Sequence, residues 1–156
     1  MGTLLLQCLY AFLACVGFSL VFDVKRVRFV VLSSLIGAVG WAVFLLLTNA
    51  VSSDVWRYLL ATIAVSALSE LSARLFKAPA TVFLLIGIVP LVPGSGLYYA
   101  MSYLIRGDYA LFAEKGLQTA AYAGAIAVGV SVVTSLSRMI SWHFLPQHLR
   151  ERPRDH

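Results

Sequence analysis

Apolar runs of membrane-spanning length alternate with short polar breaks along the whole chain. Five such runs, at about 3–22, 29–48, 56–76, 79–105 and 116–140, match the ~20 residues that cross a ~30 Å hydrocarbon core. The connections are short, and no low-complexity linker, soluble domain or repeat interrupts them. This pattern predicts an all-α fold: a polytopic membrane helical bundle of about five transmembrane spans, with a broken fourth span. It forms one transmembrane domain over 1–142 and leaves a basic cytoplasmic tail over 143–156.

The fourth run departs from a plain span. Residues 79–107 read PATVFLLIGIVPLVPGSGLYYAMSYLIRG. As helix, 79–92 would reach about 21 Å and 79–105 about 40 Å, so the first part cannot cross and the whole can. Pro90 and Pro93 each remove a backbone donor and clash with the preceding turn. Gly94 and Gly96 supply a backbone free to take left-handed angles and to approach a ligand closely. Two half-helices in one crossing are therefore expected, and such a break survives at membrane depth only where protein or a wet cavity surrounds it. A half-helix starting near Ser95 to Leu97 would aim unpaired N–H groups and its positive dipole end into the break, favouring a carboxylate. Carbonyls freed between Ile86 and Pro90 would receive a cation or an ammonium group. Tyr98 and Tyr99 either line this substrate site or anchor the helix at the interface. The competing reading makes PLVPGSG a plain loop between two short interfacial helices.

Composition sharpens the membrane reading. Of 156 residues, 60% are hydrophobic and 12% charged, with a mean hydropathy of +0.87. Soluble domains run at about 45–50% apolar and about 25% charged, so too few charges remain here to cover a globular surface. The net charge of +5 sits at helix ends, where basic residues set topology, and nucleic acid is not an expected partner. With the N-terminus outside, the inner side receives nine Lys and Arg and the outer side three. A re-entrant fourth segment would reduce that bias to seven against five, so a single broken crossing is expected. The first run has no basic residue before it and DVKRVR after it, the pattern of a first transmembrane helix and not of a signal peptide. Cys8 and Cys15 lie on one face of that helix, cannot bridge each other, and read as small apolar residues.

Charges and hydroxyls inside the spans are the remaining chemistry. A carboxylate at a span centre costs roughly 2.5–3.5 kcal/mol, so Glu70 should face the protein interior and have a partner. Thr62, Ser66, Ser69, Glu70 and Ala73 share a small, polar face of the third helix. Arg74 follows Glu70 by four residues, the order of a helical ion pair that would lock the inner end. Alternatively, Glu70 accepts a proton or cation in alternation from the two sides. On the fifth span Ala120, Gly124, Ala127, Ser131, Thr134, Arg138 and Ser141 form one small-to-polar stripe, expected to serve close helix packing. Arg138 could draw in a substrate carboxylate or neutralise Glu70. Gly37, Gly40 and Trp41 fit packing and interface anchoring. There is no paired-histidine metal motif, phosphate loop or activated nucleophile, and His143, His148 and His156 lie in the tail. No enzyme activity, metal or cofactor is expected.

The stretch KAPATVFLLIGIVPLVPGSGLYYAM at 77–101 resembles the signature of the small membrane half of the threonine/serine exporter family, with ALSELSARLFKAP before it and GAVGW on the second span in matching order. The likeness runs from about residue 4 to 140. One departure is that the family pattern often carries a proline where this chain reads Leu84, Leu85, Ile86, Gly87, which leaves the first half-helix less kinked. The resemblance implies a multi-pass protein of a bacterial inner membrane, serving secondary export of small amino acids or dicarboxylates such as succinate and driven by ion gradients. It also implies a larger membrane subunit as partner. Many transporters join two halves of opposite orientation, and a five-span chain looks like one half, to be completed by a second polypeptide or by copies of itself as a homo-oligomer. The alternative is a structural partner that stabilises the larger subunit without touching substrate.

Overall fold

The computed structural model describes residues 2–143. Apart from His143, the basic tail assigned to 143–156 lies outside the described residues. The described chain consists of helices α1 (Gly2–Val21), α2 (Val27–Leu46), α3 (Asp54–Phe76), α4 (Ala80–Gly87), α5 (Gly94–Ile105) and α6 (Tyr109–His143). Short 3₁₀ turns follow α2 (Leu47–Asn49) and α4 (Val89–Leu91). Among the described residues α1, α2, α3 and α6 are each long and apolar enough to span, and α4 with its 3₁₀ turn and α5 form a pair bent by 51°.

Local chemistry sets the ends of these helices. Both α1 and α3 stop at a residue with left-handed angles, Asp23 (φ 52°) and Lys77 (φ 50°). In each case the next amide reaches back to close the last turn, Val24 N–H to Ser19 O and Ala78 N–H to Ala73 O. Pro79 then prevents α3 from resuming. The last helix begins at Tyr109, seven residues before the apolar run that announces it. Its start is fixed by Asp108, whose carboxylate accepts the Leu111 N–H at 3.1 Å, and by Gly107, which turns the chain out of α5 at φ 78°.

Whether the bent pair crosses or returns is decided by the register of its neighbours. Three contacts join α3 to α6: Asp54 to Tyr122, Thr62 to Gly129, and Glu70 to Ser137. Residue numbers rise together along both helices, so α3 and α6 run parallel. Helices on either side of a single crossing are parallel, and a re-entrant segment between them would have made them antiparallel. Two half-helices of about 18 Å inclined at 51° also reach about 33 Å end to end, enough for a ~30 Å core. The fourth span is thus one broken crossing, and the bundle has five.

The first half of that crossing is the centre of the bundle. Phe83, Ile86, Gly87 and Leu91 are buried between α1, α2 and α3. Small residues let the backbones close: a Cβ on Gly37 would meet the Cys15 sulfur at 2.4 Å and the Gly87 carbonyl at 3.3 Å, and one on Gly40 would meet Val65 at 2.3 Å. Packing, the role expected for these glycines, is what they do. A run of rings, Trp41, Phe44, Tyr58 and Tyr122, links α2, α3 and α6 with successive centroids 5.4, 4.7 and 4.7 Å apart. By contrast α5 packs on α6 and lies away from α2 and α3.

Candidate functional site

The break is built by the two prolines. Proline at 90 withholds the amide that would have bonded the Ile86 carbonyl, and proline at 93 does the same to Val89. Val89 O is recovered locally by the Val92 N–H at 3.2 Å. For Ile86 the recovery comes from another helix: the fully buried Cys15 thiol of α1 donates to Ile86 O, with the sulfur at 3.4 Å. This corrects two expectations. The Ile86 carbonyl already has a donor, and Cys15 is a capping group as well as a small apolar filler. Nothing in the spacing of the two cysteines signals this, because the partner carbonyl is 71 positions away.

On the other side of the break, α5 begins at Gly94. Gly94 N–H bonds Val92 O at 2.7 Å and Leu97 N–H bonds Pro93 O at 3.3 Å, while the amides of Ser95 and Gly96 have no acceptor among the described residues. Those two donors and the dipole behind them make the anion-favouring helix end that the sequence predicts. Gly94 and Ser95 are exposed, and a Cβ on Gly94 would meet no heavy atom within 4 Å. Neither Gly94 nor Gly96 has a positive φ, so the expectation of left-handed angles fails; among the described residues Gly107 is the positive-φ glycine. Gly96 serves a close approach instead: a Cβ there would lie 2.4 Å from Thr119 Oγ1 on α6. Tyr98 and Tyr99 pack edge to face at 5.5 Å on the exposed side of α5, beyond the break. Pro90 and Pro93 are half-buried.

Glu70 and Arg74 stand elsewhere. Ser137 of α6 joins them: its hydroxyl donates to Glu70 Oε2 at 2.7 Å, and Arg74 Nη2 donates to Ser137 O at 2.8 Å and to its Oγ at 2.9 Å. The pair bounds a groove of about 440 Å³ between α3 and α6, lined otherwise by apolar side chains such as Ile63, Leu71 and Leu136. Arg138 is exposed and makes no bond to Glu70 among the described residues, so it is not the neutralising partner. Thr119 beside the break and Ser137 beside Glu70 are 18 residues apart on one helix, about 27 Å. The α5 side of the break is therefore far from the carboxylate, while on its other side Gly87 packs against Val65, five residues before Glu70 on α3.

Two further features escaped the sequence. At the start of α3, Arg57 ion-pairs with Asp54 and donates to the carbonyls of Val51 (2.7 Å) and Thr48 (3.1 Å), while Tyr122 O–H donates to Asp54 at 3.2 Å. Asp54 and Arg57 look like ordinary helix-end charges until α6 brings Tyr122 to them. Inside the bundle, the hydroxyls of Ser34, Thr62 and Ser66 are buried without a hydrogen-bond partner among the described residues, although Ser19, Ser33 and Ser69 each bond a carbonyl of their own helix. An unpaired buried hydroxyl costs about 1–3 kcal/mol, so these three are an anomaly in a closed, dry packing.

The stripe on α6 does not pack as expected. Ala120, Gly124, Ala127, Ser131 and Arg138 are exposed, and α6 meets α3 through Tyr122, Gly129 and Ser137 on a different face. Small residues suit any close helix contact, so their spacing marks a packing face without naming its partner. No solved structure matches the chain. The family profile described as Threonine/Serine exporter, ThrE, matches residues 7–136, from the first helix through most of the last and across the whole of the break. Five crossings with a proline-broken fourth, matched over that length, place this chain in the threonine/serine exporter family.

Proposed function

We propose that this chain is the smaller membrane subunit of a two-part secondary exporter of small carboxylate-bearing solutes, either threonine and serine or a dicarboxylate such as succinate. The observation that carries this reading is the open start of α5, where two unpaired amides and an exposed Gly94 present a carboxylate-favouring helix end on a broken span. A larger membrane subunit would cover this end and the exposed small-residue stripe of α6, completing a pathway of which one chain supplies half. The distribution of Lys and Arg supports an orientation with the N-terminus outside and the C-terminus in the cytoplasm, and membership of the exporter family supports an inner membrane as its place.

Export of preloaded labelled threonine and succinate tests the reading in vesicles holding this chain alone, the larger subunit alone, or both. Export is expected with both and with neither alone. Gly94→Leu should abolish it while leaving assembly intact, because the position is exposed and a Cβ there meets no heavy atom of this chain within 4 Å. Normal export by Gly94→Leu would remove the α5 end as the site. The exposed α6 stripe also fits a second reading, a structural partner without substrate contact. That reading predicts export by the larger subunit alone once it is stabilised by other means.

A further inference from the structure

Every fourth residue of α3 is polar from its first turn to its last: Asp54, Tyr58, Thr62, Ser66, Glu70 and Arg74. Side chains four apart form a ridge on a helix, and here five of the six residues of that ridge meet α6. Asp54 accepts from Tyr122, Tyr58 stacks on Tyr122 with centroids 4.7 Å apart, Thr62 lies against Gly129, and Glu70 and Arg74 bond Ser137. A carboxylate thus stands near each end of the seam, with hydroxyls between them. The two in the middle, Thr62 and Ser66, are at most 1% exposed and have no hydrogen-bond partner among the described residues. Two successive unpartnered hydroxyls on one line between two carboxylates are not explained by packing, which an alanine or valine would serve better.

From this arrangement, and resting on the exporter reading above, we infer that the α3–α6 seam is a proton path, with Asp54 and Glu70 as its terminal carboxylates and Tyr58, Thr62 and Ser66 as its relay. Four residues rise by about 6 Å, roughly two O–H···O lengths, so one water between successive side chains completes a hydrogen-bonded chain. As packed, the described side chains of the seam form no continuous hydrogen-bonded chain, which prevents leak. Slight parting of α6 at Gly129, which brings no side chain of its own to the contact with Thr62, admits the waters and connects the ends. Each passage takes one proton from water at the Asp54 carboxylate and returns one to water from the Glu70 carboxyl. In the proposed orientation protons move inward as solute moves out.

Among the described residues the charged and titratable groups facing the ends are few. Around Asp54 they are Arg57 and Tyr58 of α3 and Tyr122 of α6; around Glu70 there is Arg74 of α3, while α6 contributes the Ser137 hydroxyl and turns Arg138 outward. Helix α4 has no titratable side chain, and α2 contributes Arg28 in its exposed first turn.

Water access tests the path without any substrate. In the two-subunit complex carrying Cys8→Ser and Cys15→Ser, Thr62→Cys and Ser66→Cys should react with a water-soluble methanethiosulfonate in vesicles, whereas Ala61→Cys and Val65→Cys should not. Absence of reaction at both 62 and 66 overturns the path. Coupling is read with labelled threonine as probe. Thr62→Val and Ser66→Ala should cut pH-gradient-driven export by roughly a hundredfold, the low end for loss of a positioned proton-transfer group, while threonine exchange at equal pH is unchanged. Thr62→Ser should restore driven export. Driven export that survives Thr62→Val and Ser66→Ala, or driven export and exchange falling together, refutes the relay. If the unmodified pair moves no threonine, the substrate reading fails and the labelling result still decides the path.

Discussion

Removing the thiol of Cys15 should expose the weak point that Pro90 creates. In an uninterrupted helix Ile86 O would accept from the amide of residue 90, and here that residue has none. The Cys15 thiol, fully buried, supplies the replacement at 3.4 Å. Cys15→Ala leaves a buried carbonyl unpaired, which costs about 1–3 kcal/mol; because a thiol is a weak donor, about 1 kcal/mol is the better figure. The methyl-sized void left by the sulfur adds about 1 kcal/mol, for a total near 2 kcal/mol. Pro90→Ala restores an amide at position 90 that can reach Ile86 O. In that background Cys15→Ala should cost only the void, so a double-mutant cycle should give a coupling of about 1 kcal/mol, within the range for groups sharing one partner. The four proteins can be compared by unfolding in mixed micelles titrated with sodium dodecyl sulfate, followed by far-UV circular dichroism. Strict additivity of the two substitutions would show that the thiol and the missing amide do not compete for one carbonyl.

Gly96→Ala should destabilise the α5–α6 contact by about 1 kcal/mol, an overpacking cost partly offset by helix propensity, because its Cβ falls 2.4 Å from a Thr119 hydroxyl that is itself bonded to Lys115 O. The same unfolding measurement should show recovery in Gly96→Ala with Thr119→Ala, and no comparable loss in Gly94→Ala. The parallel register of α3 and α6 predicts that single cysteines placed at Asn49 and Asp108 react with an impermeant reagent from one side of the membrane, and cysteines at Lys25 and Lys77 from the other. Labelling of Asp108→Cys and Lys77→Cys from the same side would reinstate a re-entrant fourth segment.

Much of the fold is written in patterns that depend on one residue and its near neighbours. Length and apolarity specify five spans because a bilayer imposes one thickness on all of them. Pro90, Pro93 and Gly94 specify where the fourth span breaks, since a missing amide acts on its own helix whatever surrounds it. The same locality explains why the start of α5, with its free amides, was legible. It also explains the late placing of the start of α6: Glu114 and Lys115 interrupt the apolar run after its first turn, and the cap, Asp108, is a feature that hydropathy does not see.

Contacts between helices were decided by the tertiary structure alone. That Cys15 caps Ile86, that Gly96 admits Thr119, and that Ser137 joins Glu70 to Arg74 each require two helices distant in sequence to meet at one register. A face of small residues has the same composition whether it meets its own bundle or another protein, so the stripe on α6 carries no sign of pointing outward. The separation of the α5 start from Glu70 is likewise a property of the assembled bundle: both lie in the sequence as interruptions of apolar runs, and only packing on α6 sets their neighbours there, Thr119 and Ser137, about 27 Å apart. Hydrophobic thickness and backbone chemistry are enforced residue by residue. Depth, facing and partnership come from packing, which a single chain's periodicity constrains but does not choose.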